Sequence, residues 1–61
     1  MRILYYTSPT SDYELAVNAD FVVRLSKKSN SDDLTLIHLN TGEVLLSENS
    51  IRTLGARLEK I

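Results

Sequence analysis

The sequence contains no cysteine, and this absence excludes several kinds of protein at once. A chain without cysteine has no disulfide framework, no thiolate nucleophile and no zinc site built on thiolates. Small secreted domains usually depend on disulfides, so an intracellular setting fits this composition best. We therefore expect a cytoplasmic protein.

Long apolar runs are also absent. No stretch approaches the roughly 20 apolar residues that a membrane-spanning helix needs. The chain opens on residues that favour a strand, and it lacks the basic start and apolar core of a signal peptide. We expect no membrane span.

The chain has no excess of positive charge and little glycine. Its 7 basic residues are interspersed with 8 acidic ones, for a net charge of -1, so the long-range attraction to phosphate that marks most nucleic-acid binders is missing. Neither Gly42 nor Gly55 belongs to a phosphate-binding loop, because the glycine repeat and the following lysine are absent. The sequence predicts no cofactor, and it makes a nucleic-acid partner an unfavoured alternative.

The second half of the chain predicts a β-hairpin followed by a helix. Aliphatic and β-branched residues dominate residues 34–39 and 44–46, and the polar residues 40–43 between them suit a tight turn. Asn49 and Ser50 then offer side-chain oxygens to the free amides of a helix start. The helix would carry an apolar stripe of Ile51, Leu54, Leu58 and Ile61. Its solvent-facing side would carry Arg52, Arg57, Glu59 and Lys60.

Three further strands are predicted upstream, over residues 2–7, 13–17 and 21–26, and residues 27–33 form a polar loop. The 61 residues make a single domain. The fold class is therefore mainly β, with about five short antiparallel strands in a small curved sheet or barrel and a C-terminal amphipathic helix. On folding, a chain of this size buries only about 60% of the surface that its unfolded form exposes to water. We therefore expect it to have partners.

Strict alternation along each strand divides the apolar residues into two faces. The helix would cover one face, which includes Tyr13, Leu15, Val17, Phe21, Val23 and Leu25. The other face is too apolar to remain in water, so either the sheet closes into a barrel or two copies pack together. We expect a homodimer or higher oligomer, possible contact with another protein, and a candidate interface of Leu4, Tyr6, Val22, Ile37, Leu39 and Leu45.

The chain offers few groups for catalysis or metal binding. His38 is the only histidine and stands among apolar strand residues, where a plain structural role is the better interpretation. The adjacent acids Asp32 and Asp33 are typical of a solvated turn, whereas acid-base catalysis needs carboxylates held across a pocket. We expect no catalytic, cofactor-binding or metal-binding residues, and hence no enzyme.

From Val17 onward the chain contains, in order, VNADFV, then LTLIHLNTGEVLLSENS, then the closing helix, which together make up about three quarters of its length. This order of features resembles the FlbD/SwrD family of small bacterial flagellar and swarming-motility proteins and their bacterial and phage look-alikes. The N-terminal RILYYTSPTSDYE departs from that family. The resemblance implies a small non-catalytic protein that acts through protein contacts; a phage-encoded inhibitor of a host protein is an alternative.

The layout is also similar to that of the carbon storage regulator CsrA, an RNA-binding dimer with five strands and a terminal helix, and the LytTR DNA-binding domain ends on comparable strands. In this chain Tyr5 and Tyr6 stand where the regulator places basic residues on its first strand. The likeness implies a shared fold class without the RNA site. A nucleic-acid-binding regulator remains the rival hypothesis, with Arg24, Lys27 and Lys28 as its contacts, helped by Arg2.

Overall fold

A computed structural model describes residues 2–28 and 34–61 of the chain, and this part contains five strands and one α-helix. The predicted fold class, mainly β with a C-terminal helix, is confirmed. The predicted turn acids Asp32 and Asp33 lie outside the described residues. The elements are β1 (Ile3–Thr7), β2 (Glu14–Asn18), β3 (Val22–Lys27), β4 (Thr35–Leu39), β5 (Val44–Ser47) and α1 (Ile51–Glu59), with a 3-10 turn (Ala19–Phe21) between β2 and β3.

The strands form two antiparallel sheets, which do not close into a barrel. One sheet is the ribbon of β1 and β2, and the other has the order β3-β4-β5. Two hydrogen bonds join the end of β1 to the segment that follows β5. The Glu48 N–H donates to the Thr7 carbonyl oxygen over 2.8 Å, and the Thr7 N–H donates to Asn49 Oδ1 over 2.7 Å.

The core lies between the two sheets and is closed by the helix. Strand alternation turns Leu4 and Tyr6 of β1 inward, toward Ile37 of β4 and Leu54 of α1. Burial raises the pKa of the Tyr6 phenol above its ordinary value. The buried apolar residues among those described are Leu4, Tyr6, Ala19, Ile37 and Leu54, and packed against them are Leu15, Val17, Val22, Leu25, Leu39, Leu45 and Leu58.

Three residues that the sequence predicts on the face covered by the helix are exposed instead. Tyr13 is 71% exposed, Val23 61% and Phe21 45%. Phe21 belongs to the 3-10 turn, and Tyr13 precedes β2, so neither follows a strand's alternation. Val23 lies at an irregularity between Val22 and Arg24, where the register against β4 shifts. Such a bulge breaks the alternation and here leaves Val23 outside while Val22 packs on the core.

The predicted interface residues lie in the chain's own core. Leu4, Tyr6 and Ile37 are buried, and Val22, Leu39 and Leu45 pack against them. The reason is that the chain builds two sheets whose apolar faces meet, so the second apolar set is covered within one chain. A second copy cannot pack on Leu4, Tyr6 and Ile37, which are already buried, and the prediction is corrected for these three. For the part-buried Val22, Leu39 and Leu45 it stays a prediction.

Helix α1 begins where the sequence predicts it. The Ser50 hydroxyl oxygen accepts a hydrogen bond from the Thr53 N–H over 3.1 Å, so Ser50 is the N-cap. The apolar stripe is shorter than predicted, because the helix ends at Glu59 and Ile61 is exposed. A Cβ added at Gly55 would meet no atom within 4 Å, so no close approach of the helix to a neighbour explains this glycine.

A polar junction centred on Asn49 ties four segments together. Asn49 Oδ1 accepts from the Thr7 N–H over 2.7 Å and from the Ser47 hydroxyl over 2.8 Å. The Asn49 carbonyl oxygen accepts from the Thr35 hydroxyl, also over 2.8 Å. Thr35 and Ser47 are both buried and lie opposite each other in the ladder of β4 and β5. Asn49 therefore connects β1, β4 and β5 at the start of the helix, and it is not the helix cap.

Candidate interaction surfaces

An open groove of about 390 Å³ lies between the β1-β2 ribbon and the C-terminal end of the helix. Side chains alternate along β1, and Leu4 and Tyr6 point into the core. Ile3 and Tyr5 therefore face outward. Apolar area makes up most of the surface of the groove. Its lining residues are Ile3, Tyr5, Glu14, Arg57, Lys60 and Ile61.

Arg57 fixes the helix against β1 at this groove. Its guanidinium donates to the Tyr5 carbonyl oxygen over 2.8 Å. Arg57, predicted on the solvent-facing side of the helix, is half-buried as a residue, and its guanidinium reaches β1 in an exposed hydrogen bond. Together with Lys60 it gives the groove a cationic side, and Glu14 supplies an opposite charge.

The outer face of the three-stranded sheet is a second open surface. Two rows of paired residues cross this face. In one row Arg24 pairs with His38, and His38 pairs with Val44. In the next row Ser26 pairs with Leu36, and Leu36 pairs with Leu46. These positions alternate with the core residues Leu25, Ile37 and Leu45. On this face Arg24 and Val44 are exposed, while the other four residues are half-buried.

His38 is bonded to a serine on that face. Ser26 Oγ and His38 Nε2 lie 2.8 Å apart, and no carboxylate among the described residues hydrogen-bonds to the ring. A serine nucleophile needs its base oriented by a third group beside a pocket. This pair lies on an open sheet face away from the groove, so it is best interpreted as a cross-strand hydrogen bond. No group of three or more acidic or histidine side chains that could hold a metal ion occurs in residues 2–28 and 34–61.

The candidate nucleic-acid contacts do not converge on one surface. Arg24 and Lys28 share a strand face by parity, whereas Lys27 has the opposite parity. Arg2 pairs with Asp20 over 3.1 Å, with both side chains about half exposed. Among the exposed aromatic side chains, Tyr5 lies on β1 and Tyr13 immediately before β2, whereas Phe21 lies immediately before β3. Two of these three rings are thus separated from the basic side chains of β3, in contrast to a groove that combines basic and aromatic side chains along a single nucleic-acid strand.

We expect no specific binding to RNA or DNA at physiological salt. The charge is balanced, so little counterion release is available to drive association. The measurement is a titration against a random-sequence oligonucleotide pool at about 150 mM salt, where surface charges are screened beyond ~8 Å. The nucleic-acid hypothesis would be established instead if the protein binds with submicromolar affinity and Arg24→Glu abolishes this binding. The matched helix variant Arg52→Glu should then still bind.

Comparison with known proteins gives no relative. No family model matches this chain, and no curated protein and no solved structure matches it. The resemblances to the FlbD/SwrD family and to the carbon storage regulator therefore remain predictions from the sequence. No helix in the described residues has the length and apolar character to cross a bilayer.

Proposed function

We propose that this protein is a small non-enzymatic module for protein-protein interaction or oligomerisation, of bacterial or phage origin and acting in the cytoplasm. The observation that carries the proposal is the apolar groove at the helix C-terminus, where Ile3, Tyr5 and Ile61 line one open cavity. Contiguous exposed apolar surface marks interaction sites more often than single exposed residues do.

The distribution of apolar side chains supports this proposal. Within residues 2–28 and 34–61, six large hydrophobic residues are exposed, namely Tyr5, Tyr13, Phe21, Val23, Val44 and Ile61. Covering apolar area stabilises a complex by roughly 25 cal/mol per Å² before the costs of association are subtracted. A domain with so small a core gains more from such a contact than a large domain does.

Two alternatives have less support. A regulator of the CsrA or LytTR type would use Arg24, Lys27 and Lys28, which do not share one face with the exposed tyrosines. A phage-encoded inhibitor of a host protein would use an apolar contact surface as well, and it differs from the main proposal only in the identity of the partner. We therefore retain the interaction module as the proposed function.

The test compares two serine variants at exposed apolar positions on different sheets. Tyr5→Ser alters the groove, whereas Val44→Ser alters the open face of the three-stranded sheet. We expect the purified protein to associate with itself or to bind one protein from its native host. Tyr5→Ser should weaken that association at least about tenfold, corresponding to about 1.4 kcal/mol, while Val44→Ser leaves it unchanged. The proposal would be contradicted if the parent protein is monomeric and Tyr5→Ser captures the same host proteins as the parent does.

A further inference from the structure

We propose that strand β2 is a self-association edge, and that two copies of the chain pair their β2 strands antiparallel about a two-fold axis at Ala16. This inference rests on the proposed function and deepens it, because it names the partner as a second copy and the surface as one strand. The resulting sheet would have four strands, in the order β1-β2-β2-β1.

The hydrogen-bond pattern of the ribbon shows which backbone groups of β2 face outward. The Ala19 N–H donates to the Arg2 carbonyl oxygen, so the bonded pairs of the ladder recur at Val17 and Leu15. On β1 the carbonyl of Tyr5 and both backbone groups of Thr7 face away from β2, because they bond to Arg57, Glu48 and Asn49. Their register partners on β2 must face the opposite way.

The outward groups of β2 are therefore those of Glu14, Ala16 and Asn18. In residues 2–28 and 34–61, no backbone or side-chain group outside the strand bonds to the N–H of any of these three. A two-fold axis at Ala16 opposes the two Ala16 residues, which exchange two hydrogen bonds. It also directs each Asn18 N–H at the Glu14 carbonyl of the second copy, for four new bonds in total.

The side chains suit the same register. Glu14 opposes Asn18 of the second copy, and Leu15 opposes Val17, so no like charges meet and two apolar pairs form next to the core face. On the outer face the small Ala16 lies at the axis, with Tyr5 as its neighbour on β1. Tyr5 is 52% exposed. Pairing at β2 would place the two Tyr5 rings on either side of the two alanines and reduce this exposure.

The three-stranded sheet has two edges, β3 and β5. Strand β3 is built to resist pairing. It carries Arg24 and Lys27 and has an irregularity between Val22 and Arg24. Lysine, other charges and bulges are the features that keep edge strands from associating. Strand β2 has no lysine, no arginine, no proline and no register shift, and its one charged residue is Glu14 at the start of the strand. Strand β5 has only four residues, and the Glu48 N–H just after it already bonds to the Thr7 carbonyl oxygen of β1. Strand β2 is longer, and we assign it as the edge that accepts a second copy.

The test uses two identical substitutions at exposed alanines, Ala16→Lys on β2 and Ala56→Lys on the outer side of the helix. Ala16→Lys brings two ammonium groups together at the axis, and like charges directly opposite destabilise strand pairing. We expect Ala16→Lys to lower the association constant measured by sedimentation equilibrium at least about tenfold. Ala56→Lys should have the same association constant as the parent. Circular dichroism of both variants establishes that the fold is retained.

Amide hydrogen exchange gives a second, independent measurement on the unmodified chain. The amides of Ala16 and Asn18 should exchange slowly in the associated protein and rapidly on dilution, while those of Leu15 and Val17 stay slow in both. An unchanged association constant in Ala16→Lys would overturn the β2 assignment and leave oligomerisation by another surface intact. A parent that stays monomeric would also overturn it, and the Tyr5→Ser capture experiment would then decide the proposed function separately.

Discussion

Replacing Leu54 with alanine is expected to lower the free energy of unfolding by roughly 2 to 5 kcal/mol. Leu54 is completely buried, and it is the helix residue that enters the core beside Leu4 and Ile37. A chain of this length has a total stability of only roughly 3 to 9 kcal/mol, on the usual values per residue. The loss would therefore leave the domain marginally folded.

Denaturant unfolding of four proteins measures this effect. Leu58→Ala should cost less than Leu54→Ala, because Leu58 is only partly buried. Arg52→Ala is the neutral control on an exposed side of the same helix. Arg57 would be a poor control, because its guanidinium bonds to β1. If Leu54→Ala and Arg52→Ala unfold at the same denaturant concentration, the helix does not dock through Leu54.

Replacing Asn49 with alanine is expected to have the second largest effect, roughly 1 to 3 kcal/mol. The amide oxygen accepts from the Thr7 N–H and from the buried Ser47 hydroxyl. Alanine would leave both donors without a protein partner in a part-buried junction. It would also loosen the link between the two sheets, since the Thr7 N–H to Asn49 contact is one of the few bonds that join them.

Asn49→Asp provides the matched comparison. Aspartate keeps the acceptor oxygen, and its charge lies next to the start of the helix, where negative charge is favourable. We expect Asn49→Asp to retain most of the stability that Asn49→Ala loses, as measured by the midpoints of denaturant unfolding. Equal losses in the two variants would show that the acceptor oxygen is not what holds the junction.

The local elements could be predicted from the sequence, while the division into faces could not. The hairpin of β4 and β5 and the cap at Ser50 depend on residues close together in the chain, and both are confirmed. Alternation separates Leu4 from Tyr5, but it does not say which of the two will be covered. That choice depends on how the β1-β2 ribbon lies against the three-stranded sheet, and this is decided by contacts such as Thr7 with Asn49, 42 positions apart.

The candidate surfaces were beyond the reach of the sequence for the same reason. The groove combines residues from β1, β2 and the end of the helix, and its Arg57 to Tyr5 contact spans 52 positions. No spacing rule connects residues that far apart. The β2 edge likewise has no signal of its own, because Ala16 becomes informative only when the ladder shows which way its backbone groups face.

Isotope-filtered nuclear magnetic resonance on a mixture of labelled and unlabelled chains tests the β2 pairing most directly. The two-fold register places the α-protons of Leu15 and Val17 from different copies next to each other, since these two residues form the non-hydrogen-bonded pair beside the axis. We predict an intermolecular contact between Leu15 and Val17 in a particle of twice the 6.9 kDa chain mass. A particle of single-chain mass with no intermolecular contact on β2 would contradict the pairing.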